Sequence, residues 1–567
     1  MKRPTIREKI PEHLHPFIAE QNPALYTPMD HASWRYILRV SKAFFASHAH
    51  KKYLDGLVET GISTERIPLI SEVDAKLSEF GWRAVAVVGF IPPAAFMEFL
   101  SLGILPIACD MRAPEHLSYT PAPDIVHEAA GHAPIIADPD YADYLTSYGE
   151  IARKVIFSDQ DMAVYEAIRH LSDTKEDPNA TDQTIADAQK QLDQATAAVD
   201  WVSEATQLSR MGWWTFEYGL VGDLKNPKIY GAGLLSSIAE SSHCLSDDVK
   251  KIRFSLDCIN MSYDITKPQP QLFVAPDFET LGRVLEQLAG LMAFRIGGLE
   301  ALMRGKRSGT VTTTDFDSGL QISGKLTEVL TDQKGQPCYL RYEGPTQLAQ
   351  ADVELEGQGA DYHRQGYSTP IGRLIDLNKP ASALSDDEIA RLKGQFEFTS
   401  GIVVRGKVKS VLRRLDRVLI IAFENCTVTR GDTVLFKPEW GTFDMGCGAQ
   451  VTSVFGGAAD RTAYMKAVGG FEQKPANPKT NMKPGDKDLM PLYQKIRDMR
   501  ERGQFEDVVV AQVNEELERK FPNDWLLRLE LLEVTGPWQS TVRERLKQIA
   551  ESDKDKSELI ARGLALL

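Results

Sequence analysis

Between Arg304 and Thr310 the hydrophobic pattern of this chain changes period, and one uniform core cannot accommodate that change. Upstream, apolar residues recur at helical spacing. Trp34, Ile37, Leu38, Val40, Phe44 and Phe45 predict an amphipathic helix over 29–58, and a second helix follows within 61–80. Leu281, Val284, Leu285, Leu288, Leu291, Met292 and Phe294 predict one long helix over 279–303, while the apolar run 85–90 suits a short buried strand. Downstream to about Phe455, alternating segments rich in Val, Thr, Phe and Tyr, separated by Gly and Asp turns, predict a β-sandwich or barrel. Helical spacing returns from Leu489, with paired helices around Trp525.

At 567 residues the chain exceeds a single core and is expected to be multidomain. The expected order is a lead-in, 1–25; a mainly α-helical catalytic domain with little β, 26–305; a β-rich domain, 306–470; a Pro-, Lys- and Asn-rich linker, 471–488; and a helical C-terminal region, 489–567. Residues 171–207 read as a polar loop followed by an Ala/Gln/Asp-rich helical insertion, with no chemistry visible in it.

Composition narrows the class of partner. A formal charge of −14 argues against nucleic acid, and the basic stretch 407–417 reads as the solvated face of strands. Six cysteines without a C-x-x-C pair suggest buried or free thiols in a reducing compartment. The first residues lack the apolar core of a secretory signal, and no apolar run reaches about 18 residues, so a cytoplasmic location without a membrane span is expected.

The chemistry concentrates in Pro121-Ala122-Pro123-Asp124-Ile125-Val126-His127-Glu128-Ala129-Ala130-Gly131-His132-Ala133-Pro134. Two imidazoles and one distant carboxylate are the ligand set of a non-heme Fe(II) site, with positions left open for oxygen. The zinc-protease spacing H-E-x-x-H puts its histidines four apart; here they are five apart, about 140° on an ideal α-helix. Both reach one ion only at an irregular helix entrance or a bulge. Asp124 suits a cap or an acceptor behind the ligands. Glu150, Glu166 and Glu217 compete for the third position, and composition does not choose between them. Oxygen activation also needs a two-electron reductant, yet no G-x-G-x-x-G follows a strand.

The segment from about Tyr26 to Arg304 resembles the catalytic domain of the pterin-dependent aromatic amino acid hydroxylases, and most closely those acting on phenylalanine. The resemblance rests on P-x-P-D-x-x-H-E-x-x-G-H-x-P, Thr215-Phe216-Glu217-Tyr218-Gly219-Leu220, 230–237, Tyr263-Asp264-Ile265-Thr266 and Gln269–Val274, in that order. It implies iron held by His127, His132 and Glu217. It implies tetrahydrobiopterin stacked on Phe96, held by backbone around Gly89 to Ile91 and near Glu128. It implies that Arg112 grips the substrate carboxylate, Thr120 and Ser236 sit at its polar end, and Pro123 and Trp213 wall its ring. Ser236 is alternatively an orienting partner of His127. Val274 matches an apolar position in the phenylalanine-specific members, where tyrosine hydroxylases carry Asp. Gly212 stands where those members carry an iron-pocket Tyr, which predicts a roomier pocket, and Ala122 stands where Glu is usual. The implied reaction is hydroxylation of L-phenylalanine to L-tyrosine with O2. Tryptophan or tyrosine as substrate, a zinc hydrolase with Glu128 as base, and a non-catalytic sensor of an aromatic amino acid remain open.

Overall fold

The computed structural model describes residues 6–567 except 90, 119–122, 176, 178–179, 266 and 471–485, so most of the expected linker lies outside the described residues. The helix Pro28–His48 begins on a capping box: Thr27 accepts from the Asp30 amide and the Asp30 carboxylate from the Thr27 amide, with Pro28 in the first turn. It ends at Ala49 and a separate helix, Lys52–Glu59, follows, so the pattern read as one helix over 29–58 belongs to two. Residues 6–25 are short 3-10 turns rather than an extended lead-in. Ile10 and Leu14 bury themselves against Val85, Val87, Ala95 and Phe99.

The region up to Ser308 holds more β structure than expected. Arg83–Val87 runs parallel to Ile104–Ala108 around the crossover helix Pro93–Ser101. A four-stranded sheet orders Asn226–Ile229, Leu220–Asp223, Gln271–Ala275 and Lys250–Arg253. The insertion is an antiparallel pair of helices, Asp159–Lys175 and Asp182–Ala197, whose first member starts earlier than the polar loop suggested. The single helix expected over 279–303 is instead three: Phe278–Ala289, Ala293–Ile296 and Gly298–Ser308. One break spans residues 290–292; the other sits at Gly297, φ +58°, where a Cβ would stand 2.6 Å from the Thr452 carbonyl oxygen. A strand from the β-rich region presses there, and only glycine admits both the backbone angle and the approach.

Residues 311–456 form two antiparallel sheets. One has six strands, running Val353–Glu354, Pro337–Gln350, Leu320–Thr331, Val311–Phe316 and Val451–Gly456, with Gly366–Pro370 also paired to Pro337–Gln350. The other has five: Gln395–Glu397, Ile402–Arg414, Arg417–Arg430 and Thr433–Phe436, with Phe443–Gly446 also on Arg417–Arg430. Leu419 and Ile420 of the second sheet share a core with Phe316, Leu320 and Ile322 of the first.

Five further helices, Met490–Arg502, Asp507–Lys520, Leu526–Leu532, Gln539–Ser552 and Lys554–Leu564, return to the start of the chain. Their apolar faces join the same core as Trp34, Ile37 and Leu38. The Tyr36 hydroxyl donates to the Leu559 carbonyl at 2.6 Å, and its ring meets Trp525 edge-on. Arg35, 6% exposed, spans Glu533 at 2.6 and 2.7 Å, Glu65 at 2.5 Å and Glu530 at 3.4 Å. Such a buried guanidinium is tolerable only because several carboxylates meet it. All six cysteines are free and buried. Among the described residues no helix is long and apolar enough to cross a membrane.

Candidate metal and cofactor site

Val126–His132 is a π-helix, and its sequence explains why. In an α-helix the Ala130 carbonyl would accept from residue 134, but Pro134 has no N–H and its ring crowds that carbonyl. The wider i→i+5 winding relieves the clash, with the Ala133 amide donating to the Glu128 carbonyl. Ala130 O is instead satisfied by the Tyr53 hydroxyl at 3.0 Å. Gly131 lets the segment lie against Ala232, whose carbonyl oxygen would be 2.9 Å from any added Cβ.

The looser winding brings the fifth residue back to roughly the same face, so His127 and His132 converge with ring centroids 4.9 Å apart. A second π-helix, Trp213–Glu217, closed by the Tyr218 amide on the Trp213 carbonyl at 2.8 Å, aims Glu217 at the same point. Its carboxylate lies 3.3 Å from His127 Nε2 and 3.4 Å from His132 Nε2. Glu128 comes only within 3.9 Å of His132 Nε2. Glu150 and Glu166 are exposed on other helices, outside the cluster.

The groups behind these donors fix their orientation. The Ser236 hydroxyl donates to the Ala232 carbonyl at 2.7 Å, so at its 3.1 Å contact with His127 Nδ1 it acts as acceptor. His127 therefore carries its proton on Nδ1 and turns the Nε2 lone pair toward Glu217. Asp124 accepts from the His127 amide at 3.0 Å and from the Arg112 fork, Nε and Nη2, each at 2.8 Å. Arg112 Nη1 donates to the Ser236 carbonyl at 2.8 Å, and its side chain is wholly buried. The planar grip expected for a substrate carboxylate is thus made with Asp124. Among the described residues that leaves two guanidinium N–H groups uncommitted.

Burial works to raise the Glu217 carboxyl, and the positive charge of the two imidazoles in their protonated form overturns it, holding the group well below the usual carboxylate range; a cation bound between them would take the place of those protons. Glu128 follows the opposite course: burial pushes it up to about 8, with Glu217 and Asp124 reinforcing the rise and His132 opposing it. Among the described residues the buried His132 Nε2 has no hydrogen-bond partner, nor has Glu128 Oε2. Metal–ligand bonds of about 2.1 Å at right angles place neighbouring donors about 3 Å apart, close to the spacing found here. An unpartnered imidazole nitrogen facing an ionised carboxylate at that separation fits a divalent cation.

Around this centre, Trp213 stacks on Tyr218 at 4.4 Å and on Tyr263 at 4.3 Å, so both faces are taken and an edge remains for any ring bound nearby. Gly212 does not open the pocket as its missing side chain suggested. A Cβ there would stand 2.6 Å from the Tyr148 hydroxyl and 2.8 Å from Phe216 Cζ, so those two rings already fill the volume. Val274 is buried in a strand flanked by two others, and Pro123 is half-buried just before Asp124. Thr120 and Ala122 lie outside the described residues. Phe96 and Ile91 are half-buried, and Gly89, φ +63°, donates its amide to Asp110 at 2.9 Å. Asp110 in turn accepts the Ile125 amide at the mouth of the π-helix, joining the 89–91 loop to the histidines.

Two imidazoles and one carboxylate on a common point, with the remaining directions open, define the donor set of a mononuclear non-heme oxygenase. The chain belongs to the biopterin-dependent aromatic amino acid hydroxylases, whose family model matches residues 17–163 and 177–295. It is an enzyme of that class. It is 30% identical over 318 residues to the phenylalanine-4-hydroxylase of Ralstonia nicotianae, covering 53% of this chain and 87% of that one. It is 29% identical over 264 residues to that of Pseudomonas aeruginosa, covering 46% and 84% respectively. A solved structure of Chromobacterium violaceum phenylalanine hydroxylase, described with bound iron (III) and 7,8-dihydrobiopterin, aligns at 26% identity over 51% of this chain and 93% of its own, with a TM-score of 0.39.

Proposed function

We propose that the chain is an iron(II)- and tetrahydropterin-dependent monooxygenase that converts L-phenylalanine to L-tyrosine. The observation that carries this is the convergence of His127 Nε2, His132 Nε2 and the Glu217 carboxylate at 3.3–3.4 Å. These three would hold the iron, and Phe96, Gly89 and Ile91 would hold the pterin. Together the two groups supply the electrons that activate O2 toward an aromatic C–H bond.

The chain's own residues supply placement. Ser236 fixes the His127 tautomer, and Asp124 ties the π-helix entrance to Arg112. Arg112 offers its uncommitted N–H groups to the amino acid carboxylate, while Pro123 and the Trp213 edge bound the ring; the role the resemblance gives Thr120 falls outside the described residues. Glu128, buried beside His132 and next to His127, would serve the cofactor as a hydrogen-bond partner rather than the metal as a ligand. Phenylalanine is favoured because apolar Val274 offers a phenol no partner, and an unmet hydroxyl is costly. Amino acid hydroxylation with Fe(II), a tetrahydropterin and each aromatic amino acid in turn tests the reading. Phenylalanine should show the highest kcat/KM. A higher value for tryptophan or tyrosine overturns the substrate, and no turnover with any of them overturns the reaction.

A further inference from the structure

Helix Pro93–Ser101 carries Phe96, the aromatic assigned above to the pterin, and two residues later it carries Glu98. A separation of two residues is about 200° of helical turn, so the two side chains leave on nearly opposite sides. Glu98 is 5% exposed, and a lone carboxylate buried that deeply would be costly. Its partners come from two distant parts of the chain. Arg461 Nη1 meets Glu98 Oε2 at 2.5 Å, and His13 Nε2 lies 3.1 Å from the same oxygen.

Both partners are themselves anchored. His13 Nδ1 pairs with the Thr462 hydroxyl at 2.9 Å, and Lys466 pairs with Glu12, so the helix Arg461–Val468 holds the residues preceding the catalytic helices. Arg461 also donates to the Arg153 carbonyl. Just before it, Asp460 caps its helix through the Ala463 amide at 3.0 Å and accepts the Glu354 amide at 3.1 Å. Gln347 clasps the Asp460 backbone from both sides, at 3.1 Å each. Arg461 is thereby fixed to the six-stranded sheet.

We propose that Arg461 is a positioning residue for the cofactor pocket: through Glu98 the β-rich region sets the pose of helix Pro93–Ser101 and hence of Phe96. This gives the β-rich region a role in an activity whose reacting groups all lie before it. The inference rests on the assignment of Phe96 to the pterin.

The test measures 7,8-dihydropterin affinity by calorimetry on the iron-loaded full chain, beside tetrahydropterin KM, phenylalanine KM, iron content and melting temperature. Arg461→Met should weaken pterin binding and raise pterin KM by about tenfold, with iron content and phenylalanine KM nearly unchanged. Arg461→Lys, which keeps a cation beside Glu98, should recover much of the loss. Lys407→Ala, which removes an exposed ion pair with Glu424 on the five-stranded sheet, should leave pterin affinity as it was. If Arg461→Met does not fold, Glu98→Gln reads the same contact and should move pterin affinity in the same direction. Unchanged pterin affinity in a folded Arg461→Met or Glu98→Gln protein, while Phe96→Ala still weakens it, overturns the proposal and spares the assignment of Phe96. Unchanged affinity in Phe96→Ala overturns that assignment and the proposal with it.

Discussion

At the residue scale Arg112 has the most work to do. Its guanidinium holds Asp124 in a two-point grip, and Asp124 caps the segment that presents His127. A lysine keeps the charge but has one compact head in place of the planar fork. Arg112→Lys is therefore expected to release iron more readily as well as raise the phenylalanine KM, with stability lowered by about 1–3 kcal/mol, the worth of a charged hydrogen bond. Metal content after dialysis checks it: a raised KM with full iron retention would mean the arginine serves substrate alone. Gly212 shows the same dependence on surroundings. Replacement by alanine gains about 1 kcal/mol of helix propensity, but overpacking against Tyr148 and Phe216 costs about 1–3 kcal/mol, so a net loss is expected. Denaturant unfolding of Gly212→Ala measures it, and Tyr148→Phe in that background should return part of the loss by removing the nearest oxygen. Neither the Asp124 fork nor the filled space at Gly212 is legible in the sequence, because each depends on a side chain brought in from another segment.

At the scale of elements, the π-helix is the decisive piece. Part of it can be read from the chain: histidines five apart reach one ion only at an irregular helix entrance or a bulge, and the structure supplies the bulge at Val126–His132 ahead of Pro134. The donor that replaces the missing proline N–H cannot be read, since Tyr53 arrives from a helix far upstream. Tyr53→Phe should leave the buried Ala130 carbonyl unmet at a cost of about 1–3 kcal/mol and loosen iron retention, while Tyr36→Phe, remote from the site, should leave iron retention intact. Equal iron content in both variants would show that the π-winding needs no such support. The break at Gly297 is hidden from the sequence for a related reason. Helical periodicity runs through 279–303 in sequence, but the strand Val451–Gly456 that cuts across it comes much later. Periodicity reports which face of an element is apolar; it does not report what another element presses against it.

On the scale of the whole molecule, the beginning, middle and end of the chain meet in ion pairs that should leave a pH signature. Burial alone would raise Glu98, but His13 and Arg461 outweigh it and hold the carboxyl down at about 2. A carboxyl depressed in the folded state stabilises at pH values above its unfolded pKa, near 4.5, and that stabilisation disappears as the pH falls toward 2. The stability gap between the native chain and Glu98→Gln should accordingly be largest at neutral pH and shrink steadily below about pH 4.5. A gap constant from pH 7 to 3 would remove Glu98 from the account. The packing of Pro28–His48 against the last helices also bears on how the chain is made. That helix leaves the ribosome early, while the surfaces that cover Tyr36 and Arg35 emerge some 500 residues later. At about 5–20 residues per second the wait is roughly 25 to 100 s, during which an apolar flank of the nascent protein has nothing of its own to rest on and is a natural client for a chaperone.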